Sequence, residues 1–197
     1  MKILIACECS GIVRDAFIAR GHDAWSCDLQ DCDRSNSKHL KCDVLSVIND
    51  GWDMMIAHPP CTDLSVAGAR WFKEKINNGS QQRSIEFFME FTKTNIEKVC
   101  IENPVSIMST IWRKPDQIIQ PWMFGDEASK KTCLWLKNLP LLKPTNIVGK
   151  GEMITYASGR TMPKWYADAF RLPKEERSKL RSRTFPGIAH AIAAQWG

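Results

Sequence analysis

Two short motifs contain the side chains that are best suited to covalent chemistry. In the first, Pro59 and Pro60 fix the backbone in front of Cys61 and hold its thiol rigidly. Such a thiol is a candidate nucleophile, and a helix over about residues 64–71 would favour its thiolate through the helix dipole. In the second, Glu102 begins a Glu-Asn-Pro segment, and a carboxyl near a nucleophile can act as an acid or carry a proton. The alternatives are an inert loop cysteine and an ordinary turn, since a reactive thiol needs more than its position.

Three other polar segments lie where a nucleotide-type cofactor could bind. Residues 7–11 (Cys-Glu-Cys-Ser-Gly) have the pattern of a strand–turn–helix with a single glycine, but the lack of G-x-G-x-x-G favours the alternative, an ordinary turn. Asp28 stands where an acidic residue commonly binds ribose hydroxyls, although it could also cap a turn. Asp43 has the same two interpretations.

Composition narrows the class of protein. With 197 residues, 44% of them hydrophobic and 25% charged, the chain is expected to form one globular domain over residues 1–197. No apolar run approaches the ~20 residues of a membrane span, and the opening run is too short for a signal-peptide core, so we expect a cytoplasmic protein. The eight cysteines include no C-x-x-C pair, which argues against structural zinc, and without a secretion signal they do not imply disulfides.

Charge is unevenly distributed along the chain. The formal net charge is +5, but residues 1–127 carry −4, whereas residues 128–197 carry +9 from 13 basic and 4 acidic side chains. This asymmetry favours a polyanion-binding surface in the C-terminal part, and the alternative is an ordinary solvated basic face.

The elements that must position these groups alternate in type over the first hundred residues. Apolar runs predict strands at residues 2–7, 24–27, 53–57 and 98–101, and helical periodicity predicts helices at 12–20, capped by Ser10, and at 80–95. Strands separated by helices indicate parallel crossovers, hence an α/β fold with a doubly wound, mostly parallel sheet. The candidate motifs all fall at predicted strand ends, the edge where such sheets bind ligands.

The pattern changes after residue 115. Residues 117–123 and 132–136 are predicted to be further strands at an antiparallel edge, and residues 173–181 and 186–196 are predicted to be helices. Residues 140–164 are rich in proline, glycine and lysine and are predicted to be a loop. Within the basic, loop-rich segment 137–183, Lys164 and Trp165 could hold a phosphate and stack a base. The alternative is that the aromatic side chains simply pack under the loop.

The order of these motifs resembles that of the S-adenosylmethionine-dependent cytosine C5 methyltransferases. Residues 60–68 (Pro-Cys-Thr-Asp-Leu-Ser-Val-Ala-Gly) are similar to the nucleophile motif of that family, and residues 102–104 are similar to its Glu-Asn-Val motif, with proline for valine. The chain also resembles the short bacteriophage proteins of this type, which carry a Ser-Lys-Lys-Thr segment (residues 129–132) and a closing Arg-Thr-Phe-Pro-Gly-Ile-Ala segment (residues 183–189). The resemblance spans nearly the whole chain and implies a Rossmann-like methyltransferase fold.

The resemblance also implies roles for individual residues. Cys61 would add to C6 of a cytosine in DNA while Glu102 contacts N3, and C5 would then take the methyl group of S-adenosylmethionine. The residues that would bind the cofactor are Ser10, Gly11, Asp28, Asp43, Val44, Pro59, Thr184 and Phe185. The residues that would bind the substrate are Pro60, Asn103, Lys130, Lys131, Lys164 and Trp165.

The chain departs from the family in three places. The first motif lacks Phe-x-Gly-x-Gly, and Lys130-Lys131 stands where larger enzymes carry a glutamine and two arginines. Only residues 133–183 stand where larger enzymes insert a target-recognition domain, so we expect no separate recognition domain and little or short-range sequence specificity. The alternatives are the same chemistry on RNA or a free cytosine nucleotide, which avoids flipping a base from a duplex, and an inactive methyltransferase-like nucleic-acid-binding protein.

Overall fold

A seven-stranded sheet forms the centre of the protein. The computed structural model describes residues 1–34 and 37–197. The strand order is β3-β2-β1-β4-β5-β7-β6; β1 to β5 are parallel, and β7 is antiparallel to both β5 and β6. The predicted doubly wound, mostly parallel sheet with an antiparallel end is thus confirmed. The strands are β1 Lys2–Ala6, β2 Asp23–Asp28, β3 His39–Lys41, β4 Met54–Ala57, β5 Lys98–Pro104, β6 Gln117–Ile119 and β7 Thr132–Lys137.

Helices cover both faces of the sheet. One face packs against α1 and α7, with Phe17 and Trp196 in its core, and the other packs against α3 and α4, with Phe88 and Trp135. Burial on both faces explains why β1 and β4 are almost uniformly apolar. The helices are α1 Ile12–Ile18, α2 Phe72–Asn77, α3 Ser80–Glu90, α4 Met108–Ile111, α5 Lys164–Ala169, α6 Lys174–Ser182 and α7 Pro186–Trp196.

The segment predicted to be a loop contains regular structure. An antiparallel hairpin joins β8 (Met153–Thr155) to β9 (Thr161–Pro163), and α5 follows directly. The prediction of a loop over residues 140–164 is therefore wrong in its second half. Three-residue strands on an exposed hairpin bury too little apolar surface to show a clear periodicity in the sequence.

Strand ends also differ from the predictions, and one difference affects the candidate chemistry. The prediction that Glu-Asn-Pro stops the fourth strand is wrong, because β5 continues to Pro104 along its antiparallel partner β7. Parallel pairing with β4 ends earlier, at Ala57 and Ile101. Glu102 therefore lies in a strand that is paired on one side only, where its other side faces the loop after β4.

None of the helices described in residues 1–34 and 37–197 is long and apolar enough to cross a membrane. In the same part of the chain, no three His, Cys, Asp or Glu side chains come together in a group that could hold a metal ion.

Candidate functional site

The two motifs with candidate catalytic residues are tied together by a buried hydrogen bond. The Asn103 side-chain amide donates from Nδ2 to the carbonyl oxygen of Pro59 at 2.8 Å, and Asn103 is only 1% exposed. Pro59 is buried, whereas Pro60 is exposed. Since β4 and β5 are neighbouring parallel strands, their carboxyl ends bring the Pro-Pro-Cys and Glu-Asn segments to the same edge.

A second set of backbone contacts holds the chain after Cys61. The Cys61 carbonyl accepts hydrogen bonds from the amides of Leu64 and Ser65, which closes a tight turn. Val66 N–H then donates to the Val105 carbonyl at 3.1 Å, so the loop after β4 is joined to the chain that follows β5. The turn therefore fixes the direction in which the Cys61 side chain leaves the backbone.

The electrostatic surroundings of Cys61 favour the neutral thiol in the free protein. Burial raises its pKa, the negative charge of Glu102 raises it further, and Lys130 and Arg181 oppose this increase. The prediction that a helix N-terminus favours the thiolate is wrong. The helix that follows is a six-residue 3₁₀ helix, Val66–Trp71, whose N-terminus is capped by the Ser65 side chain.

Glu102 has a partner that the sequence analysis did not identify. Its Oε2 lies 2.9 Å from Nδ1 of His58, and both side chains are largely buried, at 15% and 12% exposed. Burial raises the pKa of Glu102, but the hydrogen bond and charge of His58, with the charge of Lys130, more than offset that effect and leave the pKa below its ordinary value. Glu102 is therefore a carboxylate in the free protein. His58 follows β4 directly and precedes Pro-Pro-Cys, so its position next to a strand end is the signal that could have identified it.

A cleft of about 320 Å³ opens beside this pair of motifs. Its walls come from the loop after Cys61, from the basic segment in front of β7, and from the β8–β9 hairpin with the start of α5. The lining combines cationic and aromatic side chains, which is the composition of a surface that binds a nucleic-acid strand. The lining residues that carry this character are Lys130, Lys131, Arg160, Trp165 and Tyr166.

The two predicted substrate residues of the C-terminal segment behave differently. Trp165 lines the cleft, with its ring 5.6 Å from those of both Tyr166 and Phe185, so it packs under the segment and faces the cleft at once. Lys164 instead pairs with Asp168 at 2.7 Å on the exposed face of α5 and does not line the cleft. Arg160 lines the cleft, although the sequence analysis did not single it out.

Arg181 is a further cation near the site that the sequence pattern gave no reason to select. Its guanidinium lies over the Tyr166 ring, 4.5 Å from the centroid, and donates to the Tyr166 hydroxyl at 2.5 Å. Its Nε is buried and has no hydrogen-bond partner among the described residues. A basic residue on a charged, exposed helix such as α6 is ordinarily solvated, so only the fold reveals this contact.

The predicted cofactor residues at the ends of β1, β2 and β3 form an acidic cluster around Cys7. Burial raises the pKa of the Cys7 thiol far above its ordinary value, and Asp28, Cys27 and Asp43 raise it further, which places both carboxylates close to this thiol. Each carboxylate uses one oxygen in a local turn: Asp28 accepts from the Gln30 amide at 2.9 Å, and Asp43 accepts from the Leu45 amide at 3.0 Å.

The turn that carries Ser10 and Gly11 is filled by protein groups. The buried Glu8 carboxylate accepts hydrogen bonds from the Ser10 hydroxyl at 2.9 Å and from the Val13 amide at 2.8 Å. Gly11 has φ +68°, and a Cβ there would lie 2.5 Å from an Arg14 nitrogen, so the protein's own packing already requires glycine. The Ser10 side chain therefore faces Glu8.

The remaining predicted cofactor residues lie in the interior or behind the cleft. Val44 is 4% exposed and packs in the core beneath α3. Phe185 immediately precedes α7 and packs against the core, and Thr184 is half-buried beside it. Lys130 approaches this segment from the cleft, with its Nζ 3.4 Å from the Arg183 carbonyl oxygen.

The acidic cluster suits part of S-adenosylmethionine. Asp28 and Asp43 each have a second oxygen that accepts no hydrogen bond from the described residues, and these oxygens match ribose hydroxyls and an adenine amine. The negative charge of the cluster suits a sulfonium cation. The turn at Ser10 can offer only backbone groups, because Glu8 already holds the Ser10 hydroxyl.

Comparison with known proteins adds a distant structural likeness. No protein-family model matches the chain, and a search of curated proteins finds no match. A search of solved structures finds a candidate DNA modification methyltransferase encoded within a prophage (E. coli), with 15% sequence identity and a TM-score of 0.45. The alignment covers 87% of this chain and 55% of that one, so this chain spans about half the length of that protein.

Proposed function

We propose that this protein is an S-adenosylmethionine-dependent methyltransferase that methylates cytosine at C5 in DNA through a covalent adduct with Cys61. The observation that carries the proposal is the buried hydrogen bond from Asn103 to Pro59. This bond joins the two motifs on which the resemblance to cytosine C5 methyltransferases depends. It supports a site in which a soft nucleophile and a carboxyl act on one base.

The chemistry divides between the two side chains. When the base binds, the Cys61 thiol passes its proton to Glu102. The thiolate then adds to C6 of the cytosine while Glu102 donates that proton to N3. The electron pair displaced onto C5 makes that carbon nucleophilic. The bound cofactor supplies the methyl group that C5 takes up. Loss of the C5 proton to a base re-forms the C5–C6 double bond and releases the Cys61 thiolate, and N3 returns its proton to Glu102.

The charge of the site divides in the same way. The acidic cluster at Asp28 and Asp43 would hold the cationic cofactor, and the basic cleft would hold the polyanionic substrate. Of the predicted substrate contacts, Lys130 and Lys131 line the cleft and would bind the substrate, and Trp165 would provide a stacking surface. Because only residues 133–183 stand where larger enzymes insert a target-recognition domain, we expect little or short-range sequence specificity.

The roles that the resemblance implies for the other residues remain predictions. Pro60 and Asn103 belong to the substrate side; Ser10, Gly11, Val44, Pro59, Thr184 and Phe185 belong to the cofactor side. Lys164 is the least favoured of the predicted contacts, because Asp168 already neutralises it.

The proposal is tested by incubating the purified protein with DNA and methyl-labelled S-adenosylmethionine, then analysing the nucleosides by mass spectrometry. We expect labelled 5-methylcytosine from the wild type and none from C61S. The matched control is C32S, because Cys32 is also a half-buried thiol but contacts Arg14, away from Glu102. DNA containing 5-fluorocytosine should trap the wild type and C32S covalently but not C61S.

Each contrary result removes a different part of the proposal. Trapping of C61S at the wild-type rate would exclude Cys61 as the nucleophile. Label found only in RNA or in free nucleotides would keep the chemistry and change the substrate. Absence of cofactor binding in calorimetry would leave a nucleic-acid-binding protein without turnover.

A further inference from the structure

His58 occupies a distinctive position between three strand ends. Its backbone amide donates to the carbonyl of Ala6, the last residue of β1, at 2.9 Å, which fixes it at the end of β4. Its side chain reaches the neighbouring strand β5, where Nδ1 meets Glu102 Oε2 at 2.9 Å. The next residue, Pro59, is buried and held by Asn103. The imidazole is therefore positioned by the same contacts that position Cys61.

The two ring nitrogens of His58 differ in their surroundings. Nδ1 has Glu102, whereas Nε2 is buried and has no hydrogen-bond partner in residues 1–34 and 37–197. Glu102 is a carboxylate and can only accept, so Nδ1 carries a proton and donates it to Glu102 Oε2.

The two oxygens of Glu102 differ in the same way. Oε2 accepts the hydrogen bond from His58. Oε1 accepts no hydrogen bond from the described residues, and it is not fully buried. The oxygen that His58 leaves free is thus the one that a bound ligand can reach. With one oxygen held, rotation of the carboxyl group is restricted.

We propose that His58 is a positioning residue, which holds Glu102 through the Nδ1–H···Oε2 hydrogen bond so that Oε1 presents its proton to ring N3 of the target base. This inference rests on the proposed function. When Oε1 gives its proton to N3, the Nδ1–H bond stabilises the carboxylate that remains, and the proton returns to Oε1 when the thiolate leaves. His58 keeps its Nδ1 proton throughout, and the proton that Oε1 carries comes from the Cys61 thiol.

The acidity of Glu102 provides a readout that a purely structural role would not change. Loss of the His58 hydrogen bond should raise the pKa of Glu102, because that bond and the charge of His58 hold it down. The other titratable groups that interact with Glu102 are Lys130 and the thiols of Cys61, Cys100 and Cys133. All of them remain in place when His58 is replaced.

The experiment measures the rate of covalent adduct formation with 5-fluorocytosine DNA as a function of pH, for the wild type, H58L and H58N. We expect H58L to lose about 100-fold in rate at unchanged DNA affinity, since misplacement of a reacting group by about 1 Å has an effect of this size. The lower-pH limb of the pH profile reports the pKa of Glu102, which is lower than the pKa of Cys61. This limb should move to higher pH in H58L. H58N keeps a donor near the position of Nδ1 and should recover most of the rate and the wild-type limb.

H190L is the matched control, because it makes the same substitution at an exposed histidine of α7 and should behave as wild type. An H58L variant with the wild-type rate and limb would overturn the positioning role while leaving the proposed function intact. Equal loss in H58L and H58N without movement of the limb would also overturn it. If the wild type itself forms no adduct, the proposed function fails, and the positioning role fails with it.

Discussion

The hydrogen bond between Asn103 and Pro59 allows a quantitative prediction for N103A. Removing the amide leaves the Pro59 carbonyl without its donor, and an unsatisfied buried carbonyl costs about 1–3 kcal/mol. The loss is partly offset, because the Asn103 Oδ1 is itself buried without a partner among the described residues and disappears with the side chain. We therefore expect the free energy of unfolding to fall by about 1–2 kcal/mol.

The effect on chemistry should be larger than the effect on stability. Pro59 precedes Cys61 by two residues, so release of its carbonyl lets the thiol move relative to Glu102. A shift of about 1 Å corresponds to a loss of about 100-fold in the rate of adduct formation. Chemical denaturation gives the first quantity, and trapping by 5-fluorocytosine DNA, under conditions where the variant is fully folded, gives the second.

The control for N103A is N77A, which truncates an exposed asparagine at the end of α2 and should change stability by less than about 0.5 kcal/mol. An N103A protein with wild-type stability would show that the buried hydrogen bond contributes nothing net. Wild-type trapping by a folded but destabilised N103A would refute the claim that this bond positions the nucleophile.

Two further predictions concern charge near the cleft. Glu102 raises the pKa of Cys61, whereas Arg181 lowers it. E102Q should therefore make alkylation of Cys61 by iodoacetamide several-fold faster at neutral pH, and R181M should make it slower. If both variants changed the rate in the same direction, these opposite effects on the Cys61 pKa would be contradicted. R160A should weaken DNA binding and reduce by about 1 the slope of the logarithm of the DNA association constant against the logarithm of salt concentration. K164A should change neither quantity, because Lys164 pairs with Asp168. Fluorescence anisotropy across a salt series measures both.

The sequence predicted the catalytic half of the site better than the cofactor half. The Pro-Pro-Cys and Glu-Asn segments could be assigned to one sheet edge because apolar runs end directly before them, and parallel strands bring such ends together. The partner of Glu102 was missed, although His58 follows the same strand. Strand order and register decide which polar groups at a sheet edge come into contact. Neither can be predicted from the hydrophobic pattern of a single strand.

The Ser10–Gly11 turn shows why local patterns could not settle the cofactor side. A serine and a glycine between a strand and a helix suit a ligand-binding loop and a well-packed turn equally. In the structure Glu8 holds the Ser10 hydroxyl and Arg14 lies under Gly11. Both contacts depend on how α1 packs against β2, where buried Arg14 meets Ser26.

By itself, the sequence determined the fold class, the placement of the Cys61 and Glu102 segments at one edge of the sheet, and the division of charge between an acidic body and a basic C-terminal part. These features follow from hydrophobic periodicity and from composition, which act locally or additively along the chain. Only the tertiary structure decided that Glu102 pairs with His58, that Arg181 approaches Cys61, and that Arg160, not Lys164, faces the cleft. Each of these depends on long-range contacts across packed elements, because a side chain's partners and pKa are set by whatever the fold brings within a few ångströms.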